Sequence, residues 1–115
     1  MTEVAPNLPP DGLAYEDYEI GKRIILGSHF LSSEEIIEFA SKWDPVPFHI
    51  DEQAGVNSVH GGLIAAGAHM IAIRIKLIQD QGISPYVIAT MGWDEVRFIQ
   101  PGRDGDTLTL SYECI

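Results

Sequence analysis

A run of apolar residues in the middle of the chain constrains the fold more than any other feature of the sequence. After Gly61-Gly62, the pattern predicts a helix over Leu63 to about Gln79 that has almost no polar face in its first half. A helix that is apolar on every side is buried on every side. In a chain of 115 residues, the simplest cover for such a helix is a sheet wrapped around it.

The remaining segments supply a second helix and several strands. Arg23 to Leu31 has the composition of a strand. Ser32, with Glu35 three positions later, forms a capping box that predicts the start of a helix, and Asp44-Pro45 ends it. Three later segments have strand patterns: 86–92, 93–99 and 107–115. This order indicates an α+β fold rather than a doubly wound sheet.

The two ends of the chain lead to two expectations about the domain. Residues 1–12 contain three prolines and no basic residue, so we expect 1–14 to be a flexible lead and 15–115 to be the folded domain. The last strand runs to Ile115 with no turn or partner after it. We therefore expect either that the last strands of the sheet are missing from this chain or that a partner chain completes the sheet.

Composition argues against several classes of function. A net charge of −10 disfavours nucleic acid and anionic membrane surfaces as partners. The single cysteine, Cys114, rules out an internal disulfide framework and fits a reducing compartment. The four histidines are scattered with no cysteine near them, so no metal site is expected. The apolar stretch 63–73 is too short to span a bilayer, and we expect a cytoplasmic protein.

The segment from Asp44 to Asp51 holds the strongest candidates for chemistry. Its two prolines disfavour a helix and predict a stiff loop that carries Asp44 and His49. A carboxylate and an imidazole on one rigid loop can position a water and move its proton. The alternative is that Asp44 only caps the preceding helix and His49 only packs. Asp51 is better explained as a turn or helix-cap residue than as a catalyst.

Four blocks of sequence, in order, resemble the MaoC-like dehydratases, a hot-dog-fold family that includes (R)-specific enoyl-CoA hydratases. The blocks are 15–21 (an acidic-aromatic lead ending in glycine), 37–52 (a helix and the Asp/His loop), 61–67 (the start of the central helix) and 93–108 (paired strands and a turn). Within the family, the chain is closer to a subset that has Pro-Phe-His in the loop and a small residue before the central glycine.

The resemblance implies a fold, a reaction and a set of site residues. The fold is an antiparallel sheet wrapped around a long central helix, and the reaction is the hydration of a trans-2-enoyl thioester or the reverse dehydration. By that resemblance, Asp44 and His49 hold one water as the general acid–base pair, and the backbone N–H of Gly67 stabilises the enolate. The substrate-binding residues that it implies are Val46, Phe48, His60, Gly62 and Ala66.

The resemblance also implies what the protein works with. No metal or redox cofactor is expected, and coenzyme A enters only as part of the substrate. The substrate is an acyl-CoA or acyl-carrier-protein thioester. The chain is expected to form a homodimer or a hot-dog heterodimer.

Three positions depart from the family pattern and leave a second function open. Val46 stands where the hydratases carry asparagine, Ala66 where many carry histidine, and His60 where the subset has an aromatic residue. The alternative is a non-catalytic or half-catalytic subunit that binds acyl thioester or completes a partner's site. A hot-dog thioesterase is disfavoured because residues 63–70 contain no Asp or Glu.

The other titratable residues have simpler expectations. His69 is expected to be a hydrogen-bonded core or interface histidine, and His29 a structural residue of the first strand. Arg97 and Arg103 either meet the phosphates of coenzyme A or are solvated. Cys114 has no activating neighbour in the sequence and is assigned no chemistry.

Overall fold

The computed structural model describes residues 2–4, 12–82 and 85–115. In chain order, the elements are β1 (Thr2–Val4), a 3-10 turn (Tyr15–Asp17), β2 (Arg23–Phe30), α1 (Ser33–Trp43), α2 (Pro47–Ile50), α3 (Glu52–Asn57), α4 (Gly67–Asp80) and β3 (Thr107–Glu113). This composition confirms the α+β class. The chain forms two compact units, of which the first comprises residues 1–28, 74–96 and 109–115 and the second comprises 29–73 and 97–108.

The first unit is built on a three-stranded sheet in the order β1-β2-β3. Arg23 forms an ion pair with Glu113 at 3.7 Å, and Ser28 forms a hydroxyl–hydroxyl hydrogen bond with Thr109 at 2.9 Å. Residue numbers increase along β2 while those of its partners on β3 decrease, so these two strands are antiparallel, as predicted. β1 instead pairs in parallel with β2, with Thr2 opposite Arg23.

At the start of the chain, the structure describes residues 2–4 and 12–14 of the expected lead, whose flexibility stays a prediction. Residues 2–4 form β1 because the outer edge of β2 offers unpaired backbone groups that an extended segment can satisfy. Leu13 is buried in the core of the first unit. Residues 1 and 5–11, which belong to the same expectation, lie outside the described residues.

The core of the first unit forms between the sheet and the second half of α4. Leu26 of β2 and Leu13 are buried, and Ile78 of α4 and Leu110 of β3 pack against them. Gly27 of β2 faces α4: a Cβ at this position would lie 3.5 Å from Leu77 Cδ2, at ordinary van der Waals distance. Sheet and helix therefore pack in this unit as the sequence predicts.

The second unit holds α1, which begins and ends where the sequence predicts. The Ser32 hydroxyl accepts a hydrogen bond from the Glu35 N–H at 3.2 Å and caps the first turn. Ile36 and Ala40 are fully buried on one face. Asp44 leaves helical geometry at φ −155°, and Pro45 follows.

The central helix begins four residues later than predicted. Residues 63–66 are extended: Ile64 forms an isolated bridge with Arg103, and the Ala65 N–H donates to the Gly102 carbonyl at 2.8 Å. All four residues are buried. A short buried strand and a buried helical turn have the same continuous apolar pattern, so periodicity cannot separate them. The helix α4 therefore starts at Gly67.

The expectation that the prolines exclude a helix from the Asp/His loop is wrong. Pro47 is the first residue of the short helix α2. Proline is compatible with that position because the first N–H of a helix has no partner within the helix. Asp51 then caps α3, and its carboxylate accepts from the N–H groups of Gln53 and Ala54, as expected of a cap residue.

Residues 86–99 contain no strand in the described structure, although the sequence predicts two. Ile88, Met91 and Ile99 are almost fully exposed. A strand requires the backbone groups of a neighbour, and no strand of the described residues pairs with this segment. The pattern shows that the segment is rich in apolar residues, but it carries no information about what the segment pairs with. Among the described helices, none is long and apolar enough to cross a bilayer.

Ile36→Ala should test the core of the second unit. Removing a fully buried isoleucine side chain is expected to lower the free energy of unfolding by about 2–5 kcal/mol. Ile75→Ala is the matched control, because Ile75 is also helical but 44% exposed. Urea denaturation measures both variants. Equal losses would contradict the burial of Ile36.

Candidate active site

Backbone hydrogen bonds hold the Asp/His loop in one conformation. The Val46 N–H donates to the Asp44 carbonyl at 2.8 Å, and the Val46 carbonyl accepts from the His49 N–H at 2.9 Å. These bonds come from the main chain and do not depend on the side chain of residue 46. Val46 therefore steadies the loop even though its side chain has no polar group.

His49 is buried, with one ring nitrogen fixed and the other directed at a carboxylate. Its Nδ1 lies 2.6 Å from the Ile64 carbonyl oxygen. A carbonyl can only accept, so Nδ1 carries the hydrogen, and in the neutral ring Nε2 has the free lone pair. Nε2 lies 3.7 Å from Asp44 Oδ2. That separation is too long for a direct hydrogen bond.

Asp44 uses its backbone and its side chain for different purposes. Its N–H donates to the Ala40 carbonyl at 2.8 Å and so closes α1, as the capping interpretation holds. The carboxylate takes no part in that bond and faces His49, with 43% of the side chain exposed. The structure therefore brings the two predicted catalytic side chains together.

A cavity of about 290 Å³ lies in the second unit beside His49. Its lining residues are mainly apolar or aromatic: Phe48, His49, His60, Ile64, Ala65, Gly67, Met70, Phe98, Gln100, Pro101 and Gly102. Four residues that the sequence predicts are among them: Phe48, His49, His60 and Gly67. Asp44, Val46, Gly62 and Ala66 are not among its lining residues, and their parts in catalysis or substrate binding stay predictions.

Gly67 is the first residue of α4 and reaches the same cavity as His49. The first N–H groups of a helix have no intrahelical acceptor, and the helix dipole favours negative charge near them. The ring of Phe98 packs closely on this glycine: a Cβ at position 67 would lie 3.0 Å from Phe98 Cζ. Gly67 therefore combines close packing against Phe98 with a place in the cavity lining at the start of a helix.

Two further predicted residues lie near the site. His60 is half-buried, and its ring meets the edge of Phe48 with 4.9 Å between ring centroids. Arg103 lies on the strip that pairs with Ile64, and its N–H donates to Asp106 Oδ2 at 2.8 Å. A Cβ on Gly62 would lie 3.4 Å from Arg103 Nη1.

Sequence reasoning missed several residues around the cavity. Met70, Phe98 and Gly102 line it, and a Cβ on Gly102 would lie only 3.1 Å from Leu31 Cδ2 and 3.2 Å from Met70 Cε. The turn-forming pair Pro101-Gly102 signals a bend, but nothing in its local sequence signals contact with the central helix. Among the described residues, no group of three or more His, Cys, Asp or Glu could hold a metal ion.

Comparison with known proteins identifies the family. The model of a family described as MaoC like domain matches residues 19–115. The chain belongs to the MaoC-like family. That membership confirms the resemblance given by the sequence and the hot-dog fold, and it supports hydratase or dehydratase chemistry at the level of the family.

Individual MaoC-like relatives are similar over most of the chain. The protein MaoC of Klebsiella aerogenes is 30% identical over 101 residues, which cover 87% of this chain and 30% of that protein. The chain thus spans less than a third of that relative. The crystal structure of the MaoC-like dehydratase from Rhodospirillum rubrum has a TM-score of 0.70 and 32% identity, covering 87% of this chain and 68% of that one.

A structure of an R-hydratase has the same fold. PhaJ1 from Pseudomonas aeruginosa, unliganded, superposes with a TM-score of 0.70 and 23% identity, covering 86% of this chain and 63% of that one. At this identity, the likeness shows the fold alone.

Gly67→Ala should separate the two reasons for a glycine in this MaoC-like chain. We expect the free energy of unfolding to change by no more than about 1 kcal/mol, because alanine favours the helix and the half-exposed Phe98 ring can move. The matched control is Gly55→Ala, whose Cβ would lie 2.6 Å from the backbone nitrogen of Leu63 and should cost about 1–3 kcal/mol. If Gly67→Ala costs as much as the control, close packing alone explains Gly67.

Proposed function

We propose that this chain is an acyl-thioester hydratase or dehydratase that adds water to, or removes it from, a trans-2-enoyl thioester. The observation that carries the proposal is the fixed pair of acceptors formed by Asp44 Oδ2 and His49 Nε2, 3.7 Å apart. His49 and Gly67 line the same cavity. Family membership at residues 19–115 supports the same reaction class.

The tautomer of His49 suits it to hold a water. Because the Ile64 carbonyl fixes the hydrogen on Nδ1, Nε2 and the Asp44 carboxylate are both acceptors. A water molecule has two hydrogens and can donate one to each. Its oxygen lone pairs then remain free for the substrate, which is the orientation that a nucleophile needs.

The reaction balances with these groups alone. The water oxygen forms a bond with Cβ of the enoyl group, and one water proton passes to the Asp44–His49 pair. The π electrons move toward the thioester carbonyl, and Cα then takes a proton from the pair. Both groups end in their starting protonation states. The addition of water is redox-neutral overall, so the proposal needs no redox cofactor.

The first turn of α4 is suited to the charge that develops in this reaction. Negative charge accumulates on the thioester oxygen as the enolate forms, and a fixed backbone N–H stabilises it. The Gly67 N–H is at the positive end of a helix of 14 residues. We propose that the thioester carbonyl lies against this amide.

The lining of the cavity favours an uncharged acyl group. Phe48, Met70 and Phe98 present apolar surface, and no carboxylate, lysine or arginine is among the lining residues. The carrier, coenzyme A or an acyl carrier protein, would lie outside this cavity. A role for Arg97 or Arg103 in binding its phosphates stays a prediction.

Asp44→Asn and His49→Gln should each lower kcat for hydration of crotonyl-CoA by roughly 10²- to 10⁴-fold, because an amide oxygen can still accept from the water but cannot take up its proton and return it. Loss of absorbance of the enoyl thioester measures the rate. Asp51→Asn is the matched control: asparagine caps a helix as well as aspartate, so its rate and stability should equal those of the parent. Parental turnover by Asp44→Asn would remove the proposal.

A second candidate, a subunit that binds acyl thioester or completes a partner's site, is favoured by one observation. Ile88, Met91 and Ile99 expose large apolar side chains on the segment 86–99, which contains no helix or strand in the described structure. Exposed apolar chain of this kind often belongs to an interface.

Mass measurement by light scattering, together with the crotonyl-CoA assay on the same fractions, separates the two candidates. We expect a homodimer that hydrates the substrate by itself. An inactive species that gains activity only when a second hot-dog chain is added would instead support the subunit function.

A further inference from the structure

Outside the cavity, one carboxylate joins two histidines from different elements of the second unit. Glu35 Oε2 lies 2.8 Å from His69 Nε2, and both Glu35 oxygens lie 2.8 Å from His29 Nε2. His29 is at the end of β2, Glu35 in the first turn of α1, and His69 in the first turn of α4. The proposed chemistry uses none of them.

The ring of His69 is held on its edge and on its face. Glu35 accepts from Nε2, and Phe39, one turn along α1, stacks on the ring with centroids 4.5 Å apart and planes inclined by 8°. Residues four apart lie on one face of a helix, so α1 provides both contacts from the same side. Together they fix the position and the rotation of the ring.

The protonation state of His69 makes the bond to Glu35 directional. Burial is the largest effect on the pKa of His69 and, together with the nearby charge of His29, lowers it below its usual range despite the opposite effects of the Glu35 hydrogen bond and charge. The neutral ring has a single N–H, which lies on Nε2 and donates to Glu35. Nδ1 is buried with no hydrogen-bond partner among the described residues.

An unpaired nitrogen makes His69 a poor choice for core packing alone. A buried acceptor without a partner costs free energy that an apolar side chain of similar size would avoid. The compensating interaction is the bond with Glu35. That bond ties α1 to the helical turn that begins with Gly67.

We propose that Glu35 and His69 are positioning residues that hold the first turn of α4, and with it the Gly67 N–H, at the cavity. The inference rests on the proposed function for its kinetic consequence. His69 does not line the cavity, whereas Gly67, two residues earlier in the same turn, does. Its effect on the reaction therefore passes through the backbone.

The kinetic test compares Glu35→Ala and His69→Ala with a control, His29→Ala, and with a rescue variant, Glu35→Gln. Glu35→Ala and His69→Ala should lower kcat for crotonyl-CoA hydration by roughly 10- to 100-fold, with KM within about twofold of the parent, because a small displacement of a group that stabilises the transition state is costly. His29→Ala is the matched control. It removes the other histidine from the same carboxylate and should leave kcat unchanged.

Glu35→Gln should restore the rate. The amide oxygen can accept from His69 Nε2–H, and the amide NH₂ can donate to Nε2 of the partly exposed His29 in its other tautomer. Parental kcat in Glu35→Ala would overturn the proposal, as would equal losses in His29→Ala and Glu35→Ala or failure of glutamine to rescue.

A spectroscopic readout keeps this proposal separate from the proposed function. In ¹⁵N–¹H correlation spectra, Glu35→Ala should shift the Gly67 amide resonance and speed its hydrogen exchange, whereas His29→Ala should not. If the parent has no hydratase activity, the proposed function fails, but this measurement still tests whether Glu35 and His69 position the first turn of α4. An unmoved Gly67 resonance in a folded Glu35→Ala protein would overturn the inference.

Discussion

The hydrogen bond from His49 Nδ1 to the Ile64 carbonyl, 2.6 Å long, is the interaction on which the rest of the site depends. It fixes the tautomer of the histidine and anchors the Asp/His loop to the extended segment 63–66. In the same segment, Ala65 pairs with Gly102 and Ile64 with Arg103. The central helix begins directly after residue 66. The buried segment 63–66 therefore helps to set the positions of His49 and of the Gly67 amide.

The late start of the helix has a direct functional consequence. A helix beginning at Leu63, as the sequence predicts, would place the Gly67 N–H within the helix, bonded to the carbonyl four residues earlier. Because the helix begins at Gly67 itself, that N–H belongs to the first turn, where backbone donors have no intrahelical acceptor. The difference of four residues decides whether this amide can stabilise charge in a substrate.

Much of this fold could be predicted from local sequence, and the failures share a cause. The cap at Ser32, the end of α1 at Asp44-Pro45 and the cap at Asp51 all follow from chemistry within a few residues. The extended segment 63–66, the parallel β1 and the absence of a strand from the described residues 86–99 depend on partners distant in sequence, about which periodicity carries no information. The same limit applies to the site: Asp44 and His49 share a loop and were found, whereas Phe98 and Gly102 reach the cavity from another part of the chain.

Glu35 shows how a correct local signal can conceal a second role. The capping box correctly predicts the helix start at Ser32, and its usual geometry would turn the glutamate side chain back to the N-cap backbone. The carboxylate binds His29 and His69 instead. These two histidines lie 6 and 34 residues away in sequence, so a motif of four residues gives no sign of either contact.

The central claim is that this site adds water across an enoyl thioester. The most direct measurement is hydration of crotonyl-CoA in D₂O, with the product followed by NMR. The account predicts a 3-hydroxybutanoyl thioester that carries a single deuterium at Cα, since the proton delivered there comes from solvent through Asp44 and His49. Unchanged crotonyl-CoA, or release of free thiol without hydration, would contradict it.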